Sequence, residues 1–201
     1  MLLIFDFDGT LFDALSTVKK LVKALAPKYN LENTSSKAIL KAFELNFFKG
    51  MIKNGLKESQ LKSFMKDCEK WEKTNYKAKP FKGITNAVKQ LAKSNNLVIV
   101  SSNFSSILAE RLKKYKLDSY FDEVVGADTA MSKTDKFKML MKVYGDNAVL
   151  ITDTLGDINA ANKAGLKTIA VTWGLHSRET LKKGSPMKII SDIKELTTLY
   201  G

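Results

Sequence analysis

The sequence predicts an α/β protein: a parallel sheet with helices on both faces and a small all-α unit inserted after the first strand. Three observations carry that prediction. From Pro80 onward, short apolar runs alternate with helical stretches, the pattern of strand–helix–strand units in a parallel sheet. Residues 34–76 hold no strand-like run and instead show apolar stripes at helical spacing. Ahead of them stands one isolated apolar run that ends in Asp-Gly-Thr, a strand closed by a turn.

The first strand is expected over Leu2–Phe7, interrupted only by Asp6. A helix over residues 13–26 follows, with Leu15, Val18, Val22 and Leu25 on one face and Pro27 expected to stop or kink it. Ile39, Leu40, Phe43, Phe47 and Met51 make one stripe; Leu61, Phe64, Met65, Cys68 and Trp71 make another; Asn54-Gly55 marks the turn between them. Both stripes read as the core of a small helical bundle. Further strands are expected at residues 97–100, 124–125, 148–151, 169–171 and 187–190. The helices between and after them fall near 83–95, 105–116, 133–144, 157–164 and 191–199. The chain therefore divides into an α/β unit of residues 1–13 and 80–201 and a helical unit of residues 14–79.

Length and composition agree with a soluble globular chain. Its 201 residues, 44% apolar and 27% charged, can bury a sizeable core, and three prolines leave no room for a fibrous or disordered reading. No run approaches the ~18 apolar residues of a membrane span. The opening MLLIFDFDGT lacks the basic start of a signal peptide and meets Asp6 after five residues. A single cysteine, Cys68, makes no internal disulfide, which points to a cytoplasmic location. The net charge of +12 rests on 33 basic residues, of which only Arg111 and Arg178 are arginines. Lysines scattered along the chain read as a solvated surface. That argues against a nucleic-acid partner, whose sites favour arginine.

Ligands of parallel α/β sheets gather beyond the carboxyl ends of the strands. The polar residues at those ends are Asp6, Asp8, Gly9 and Thr10 after the first run, Ser101, Ser102 and Asn103 after the second, and Thr152, Asp153, Thr154 and Asp157 after the fourth, with Ser132 and Lys133 opening a later helix. One aspartate after a strand is ordinarily a turn former or helix cap. Four carboxylates at one sheet edge repel one another and call for a hard divalent cation, Mg²⁺ in phosphate chemistry. Lys133 and a serine hydroxyl could then hold phosphate oxygens.

These residues resemble the motifs of the haloacid dehalogenase superfamily of aspartate-nucleophile phosphohydrolases. Asp6-Phe7-Asp8-Gly9-Thr10 stands as its DxDGT motif, Ser101 as its strand-ending hydroxyl with Ser102 as the register alternative, and Lys133 as its lysine, with Lys136 a weaker candidate. Asp153 and Asp157 fit its last motif, where Thr152 replaces the usual glycine. The resemblance implies a Rossmann-like core with an α-helical cap, Asp6 as nucleophile and Asp8 as general acid and base. It also implies phosphate contacts from Gly9, Thr10, Ser101, Ser102, Asn103 and Lys133. Mg²⁺ would be held by Asp6, the Asp8 carbonyl and Asp153, with Asp157 behind them. Ala170-Val171-Thr172-Trp173-Gly174 is similar to the phosphoglycolate phosphatase-like branch. The implied partner is a small phosphorylated metabolite and the implied assembly a monomer or homodimer.

Two other readings compete. A phosphosugar mutase-type phosphotransferase shares the chemistry until water or a sugar hydroxyl accepts the phosphoryl group. A non-catalytic basic binding module on the same fold would have no need of Asp6, Asp8, Lys133 and Asp153 together. His176, the only histidine, has no partner at metal-ligand spacing and is expected at the surface, while Cys68 is expected to be inert packing.

Overall fold

Six parallel strands lie in the order β3-β2-β1-β4-β5-β6. They are β1 (Leu2–Phe5), β2 (Asn96–Val100), β3 (Glu123–Val125), β4 (Ala148–Thr152), β5 (Lys167–Val171) and β6 (Lys188–Ile190). The computed structural model describes residues 1–129 and 131–201. This order is that of the doubly wound dinucleotide-binding fold, and its reversal of direction lies beside β1, between β2 and β4.

All four residues of β1 are buried, because the strand is central and covered on both faces. In register, Leu3 lies between Leu97 and Val149. Successive residues feed opposite layers. Leu3, Phe5, Leu97, Ile99 and Ile151 join one apolar cluster; Leu2, Ile4, Val98, Val100 and Leu150 join the other. The second layer is completed by Phe137 and Leu140 of α7 (Lys133–Tyr144) and Ala161 of α8 (Leu155–Ala164). The first takes in α5 (Ile84–Leu91), α6 (Ser105–Lys114) and α10 (Lys194–Tyr200). A fully buried aliphatic or aromatic side chain is worth roughly 1.5–3 kcal/mol, so these two layers supply most of the drive to fold.

Four helices stand between β1 and α5: α1 (Leu15–Tyr29), α2 (Ser36–Ala42), α3 (Phe47–Lys53) and α4 (Leu61–Asn75). Tyr29 meets Phe64 edge-on at 5.1 Å between ring centroids, and Phe47 and Phe48 complete the aromatic centre. This apolar centre is continuous with one face of the sheet. The chain enters and leaves the insertion side by side. Asp13 donates its N–H to the Lys79 carbonyl at 2.9 Å, and Phe81 donates to Leu11 at 3.0 Å.

Several local expectations are corrected. Pro27 does not stop α1, which runs on to Tyr29. In the final turn the missing proline N–H removes a single bond, and Tyr29, buried against Phe64, holds the turn in place. The helix stops instead at Asn30, whose left-handed φ of 51° closes it onto the Ala26 carbonyl. The stripe from Ile39 to Met51 is broken after Ala42 and restarts at Asn46, whose side chain accepts from the Phe48 N–H at 3.1 Å. The short helix α9 (Arg178–Lys182) had no expectation attached to it. The first strand ends at Phe5, not Phe7, because the chain turns through Gly9 at φ 88°.

Candidate active site

Asp6 follows β1 directly, its N–H extending the sheet ladder to the Ile151 carbonyl at 3.0 Å. That bond fixes the side chain at the carboxyl edge, 6% exposed. Lys133, the first residue of α7, reaches it: Nζ lies 3.1 Å from Asp6 Oδ1 and 2.6 Å from Asp157 Oδ2. Thr152 Oγ1 donates to the same Asp157 oxygen at 3.2 Å. Thr152, in place of the family's glycine, thus takes part in the network.

Asp8 is held from two directions. Tyr76, just past α4, donates its hydroxyl to Oδ1, and Asn103 Nδ2 donates to Oδ2 at 2.9 Å. Ser101 Oγ accepts from the Asn103 N–H at 3.0 Å, and Ser102 Oγ accepts from Asn46 Nδ2 of the insertion at 3.2 Å. Asp153 is wholly buried. Its Oδ1 accepts from Thr10 Oγ1 at 2.9 Å and its Oδ2 from the Leu175 N–H at 2.7 Å. A Cβ on Gly9 would stand 2.0 Å from that Oδ2, so only glycine lets the turn after Asp8 pass.

Burial dominates the electrostatics. It raises Asp6 well above the usual carboxylate range; Lys133 opposes this, and Asp157, Asp153 and Asp8 reinforce it. It also raises Asp8, against the hydrogen bonds from Tyr76 and Asn103, and pushes Asp153 up to about 7. Burial would depress the Lys133 ammonium, yet Asp157 and Asp6 hold its pKa above the ordinary lysine value. Four carboxyls around one ammonium leave negative charge without a counterion, which is the setting a divalent cation stabilises. Among the described residues no three acidic, histidine or cysteine side chains form a ready-made metal cluster. The expected set asks for less, namely the carboxylates of Asp6 and Asp153 and the Asp8 carbonyl. Each Asp153 oxygen keeps a lone pair beyond its one hydrogen bond. These are hard oxygen donors of the kind Mg²⁺ takes.

The cavity at this edge is lined by Asp6, Asp8, Ser101, Ser102, Asn103, Lys133 and Asp157 among the expected residues. Gly9, Thr10 and Asp153 stand behind it. The Thr10 hydroxyl belongs to Asp153 and the Gly9 N–H to the Phe12 carbonyl. Lys136 Nζ donates to the Gly126 carbonyl at 2.6 Å and does not bond to the carboxylates. His176 is buried, contrary to expectation, at 5% exposure. Its Nδ1 accepts from the Leu155 N–H at 3.0 Å, so the ring proton sits on Nε2, 2.9 Å from the Leu40 carbonyl of the insertion. Burial lowers its pKa and keeps it neutral in this joint. Tyr76, Glu72 and Asn46 also face the site unannounced; Asn46 carries the one readable signal, a helix-capping residue type ahead of Phe47.

A strand end carrying two aspartates, a lysine on the adjacent helix and a helical insertion over the sheet edge make the arrangement of a hydrolase site. A family model for haloacid dehalogenase-like hydrolases matches residues 3–171, and the chain belongs to that family. A phosphoglycolate phosphatase from Synechococcus elongatus is 28% identical over 98% of this chain and 96% of its own. A pyrophosphatase from Oceanobacillus iheyensis is 26% identical over 99% of this chain and 96% of its own. The crystal structure of a predicted phosphatase from Clostridium acetobutylicum superimposes with a TM-score of 0.83 at 27% identity, covering 98% of this chain and 96% of that one. A haloacid dehalogenase-like hydrolase from Streptococcus pneumoniae, 20% identical with a TM-score of 0.84, shares the fold. The chain is an enzyme of this family.

Proposed function

We propose that the protein is a Mg²⁺-dependent phosphatase that hydrolyses a small phosphate monoester through an aspartyl-phosphate. The observation that carries this reading is the pairing of a buried and a half-buried carboxyl two positions apart. Asp6 is held by Lys133, and Asp8 by Tyr76 and Asn103. An Asp6 oxygen attacks phosphorus as the ester P–O bond breaks, and Asp8 gives its proton to the leaving alcohol oxygen. Burial, which raises the Asp8 pKa, favours the protonated form this step needs. Asp8, now charged, takes a proton from water. The resulting hydroxide attacks phosphorus, the bond to Asp6 breaks, and inorganic phosphate leaves. Lys133 and the Ser101 hydroxyl bind the phosphoryl oxygens, with Ser102 and Asn103 beside them. Asp6, the Asp8 carbonyl and Asp153 would hold Mg²⁺, with Asp157 supporting through Lys133; when bound, the ion neutralises the carboxylates and phosphoryl oxygens. The helical unit of residues 14–79 serves as a cap that excludes water. The family, the lone buried Cys68 and the lack of a membrane-length apolar helix among the described residues support a cytoplasmic enzyme.

The test is phosphate release from a panel of monoesters, with Mg²⁺ and after chelation. Turnover requires the metal, and Asp6→Asn abolishes it in protein that keeps its wild-type circular dichroism. An Asp6→Asn rate within about tenfold of wild type overturns the nucleophile assignment, since the amide is a far poorer nucleophile.

A further inference from the structure

The cavity extends past the reacting carboxyls into the helical insertion, and its lining restricts what can sit there. Its enclosed part is small, about 50 Å³, and it opens through a wider mouth. Beyond the carboxyls its walls are Val18, Leu21, Phe43, Leu45, Phe47 and Phe48. Among the described residues Lys133 is the only lysine or arginine in the lining, and it is paired with Asp6 and Asp157. The insertion's own polar contributions are few. Asn46 is engaged with Ser102 and the Phe48 N–H, and Glu72 is a buried carboxyl, 6% exposed. The main-chain donors at the start of α8 are taken as well: Leu155 donates to His176, and Gly156 to the Phe43 carbonyl at 3.1 Å. A second anion on a substrate would lose its water here and find no unpaired cation in the described lining.

We propose that the preferred leaving group is an uncharged, largely apolar alcohol, so that aryl or alkyl phosphate monoesters are taken and esters bearing a second carboxylate or phosphate are refused. The inference rests on the phosphatase reading for its catalytic meaning. It parts this chain from relatives named for phosphoglycolate and pyrophosphate, both of which carry a second anion. The phenylalanines act as the attractive element, and the lack of an unpaired cation along the described lining is what refuses a second anion.

Two measurements on the wild-type protein with Mg²⁺ test it. The first compares kcat/KM for phenyl phosphate with that for phosphoglycolate and pyrophosphate; phenyl phosphate leads by about 100-fold or more, the scale of a charge left unpaired in a built site. The second compares binding of benzylphosphonate and phosphonoacetate by calorimetry, which reads the pocket without turnover; benzylphosphonate binds more tightly. Phosphoglycolate or pyrophosphate cleaved as well as phenyl phosphate overturns the leaving-group inference and leaves the phosphatase intact. No turnover of any ester, with benzylphosphonate still preferred, overturns the phosphatase reading while the pocket's selectivity stands. Equal or reversed phosphonate binding overturns the selectivity itself.

Discussion

Asp8 receives hydrogen bonds from residues far apart in the chain, Tyr76 near the end of the insertion and Asn103 after β2. A general acid so placed matters most where the leaving oxygen is basic. Asp8→Asn is therefore expected to slow alkyl phosphates at least ~10-fold more than p-nitrophenyl phosphate, whose leaving group needs little proton assistance. The slope of log kcat/KM against leaving-group pKa measures this, and equal losses across the series would reject the role. Asp6, Asp8, Ser101 and Lys133 are legible in sequence because each sits at a strand end or helix start and is recognised by its immediate neighbours. Tyr76 and Glu72 reach the same site from the far end of a helical insertion, and no local spacing announces that approach. His176, expected at the surface, is buried for a related reason. Burial of a loop residue depends on what another segment lays over it, here the Leu40 carbonyl.

Among the elements, the joint between α1 and α4 shows how a polar contact fixes two helices. Asp67 of α4 accepts from Tyr29 Oη at 2.7 Å and from Lys28 Nζ at 2.5 Å, both at the end of α1. The Lys28 and Tyr29 hydrogen bonds hold its carboxyl below the usual aspartate value. A depressed carboxylate stabilises the fold above its unfolded pKa, and that contribution is lost as pH falls through the folded value. Asp67→Asn should thus cost about 1 kcal/mol at pH 7 by urea denaturation, with the difference from wild type starting to shrink as pH falls below ~4 and gone once pH has passed the lowered folded value. A constant difference from pH 7 to pH 3 would refute the charged form as the source. The joint made by His176 is buried and costs more. His176→Ala leaves the Leu155 N–H and the Leu40 carbonyl without their partner, an expected loss of about 2 kcal/mol in the same measurement. Element boundaries were legible where a side chain caps the helix, as Ser132 does for α7 by accepting from the Asp135 N–H at 3.2 Å. The break between α2 and α3 was not, because Ile39, Phe43, Phe47 and Met51 keep a four-residue spacing straight across it.

At the scale of the whole molecule, alternating apolar runs announce the parallel sheet, but local sequence does not say which strands are neighbours. The order that sets β1 between β2 and β4 is what brings Asp6, Ser101 and Asp153 to one edge. How the insertion seats over that edge is likewise a property of the assembled chain, and it depends on one glycine. Gly156 lies in the first turn of α8 and donates its N–H to the Phe43 carbonyl of the insertion. A Cβ there would stand 1.9 Å from the Leu45 carbonyl oxygen and 2.7 Å from that of Phe43. Both atoms are backbone and have no rotamer by which to yield, so the insertion itself must move. Alanine suits a helix better than glycine, so Gly156→Ala need not weaken α8 itself. It should instead hold the insertion off the sheet edge, lowering kcat/KM by about tenfold or more through misplaced closure. Hydrogen exchange would show the 43–46 segment and the crossings at residues 13–16 and 79–82 opening more readily, while β1 and β4 keep their protection. Wild-type kinetics together with unchanged exchange in those segments would show that the insertion does not close through this contact. Loss of protection in β1 and β4 as well would mean that the substitution unfolds the sheet and not the seat above it.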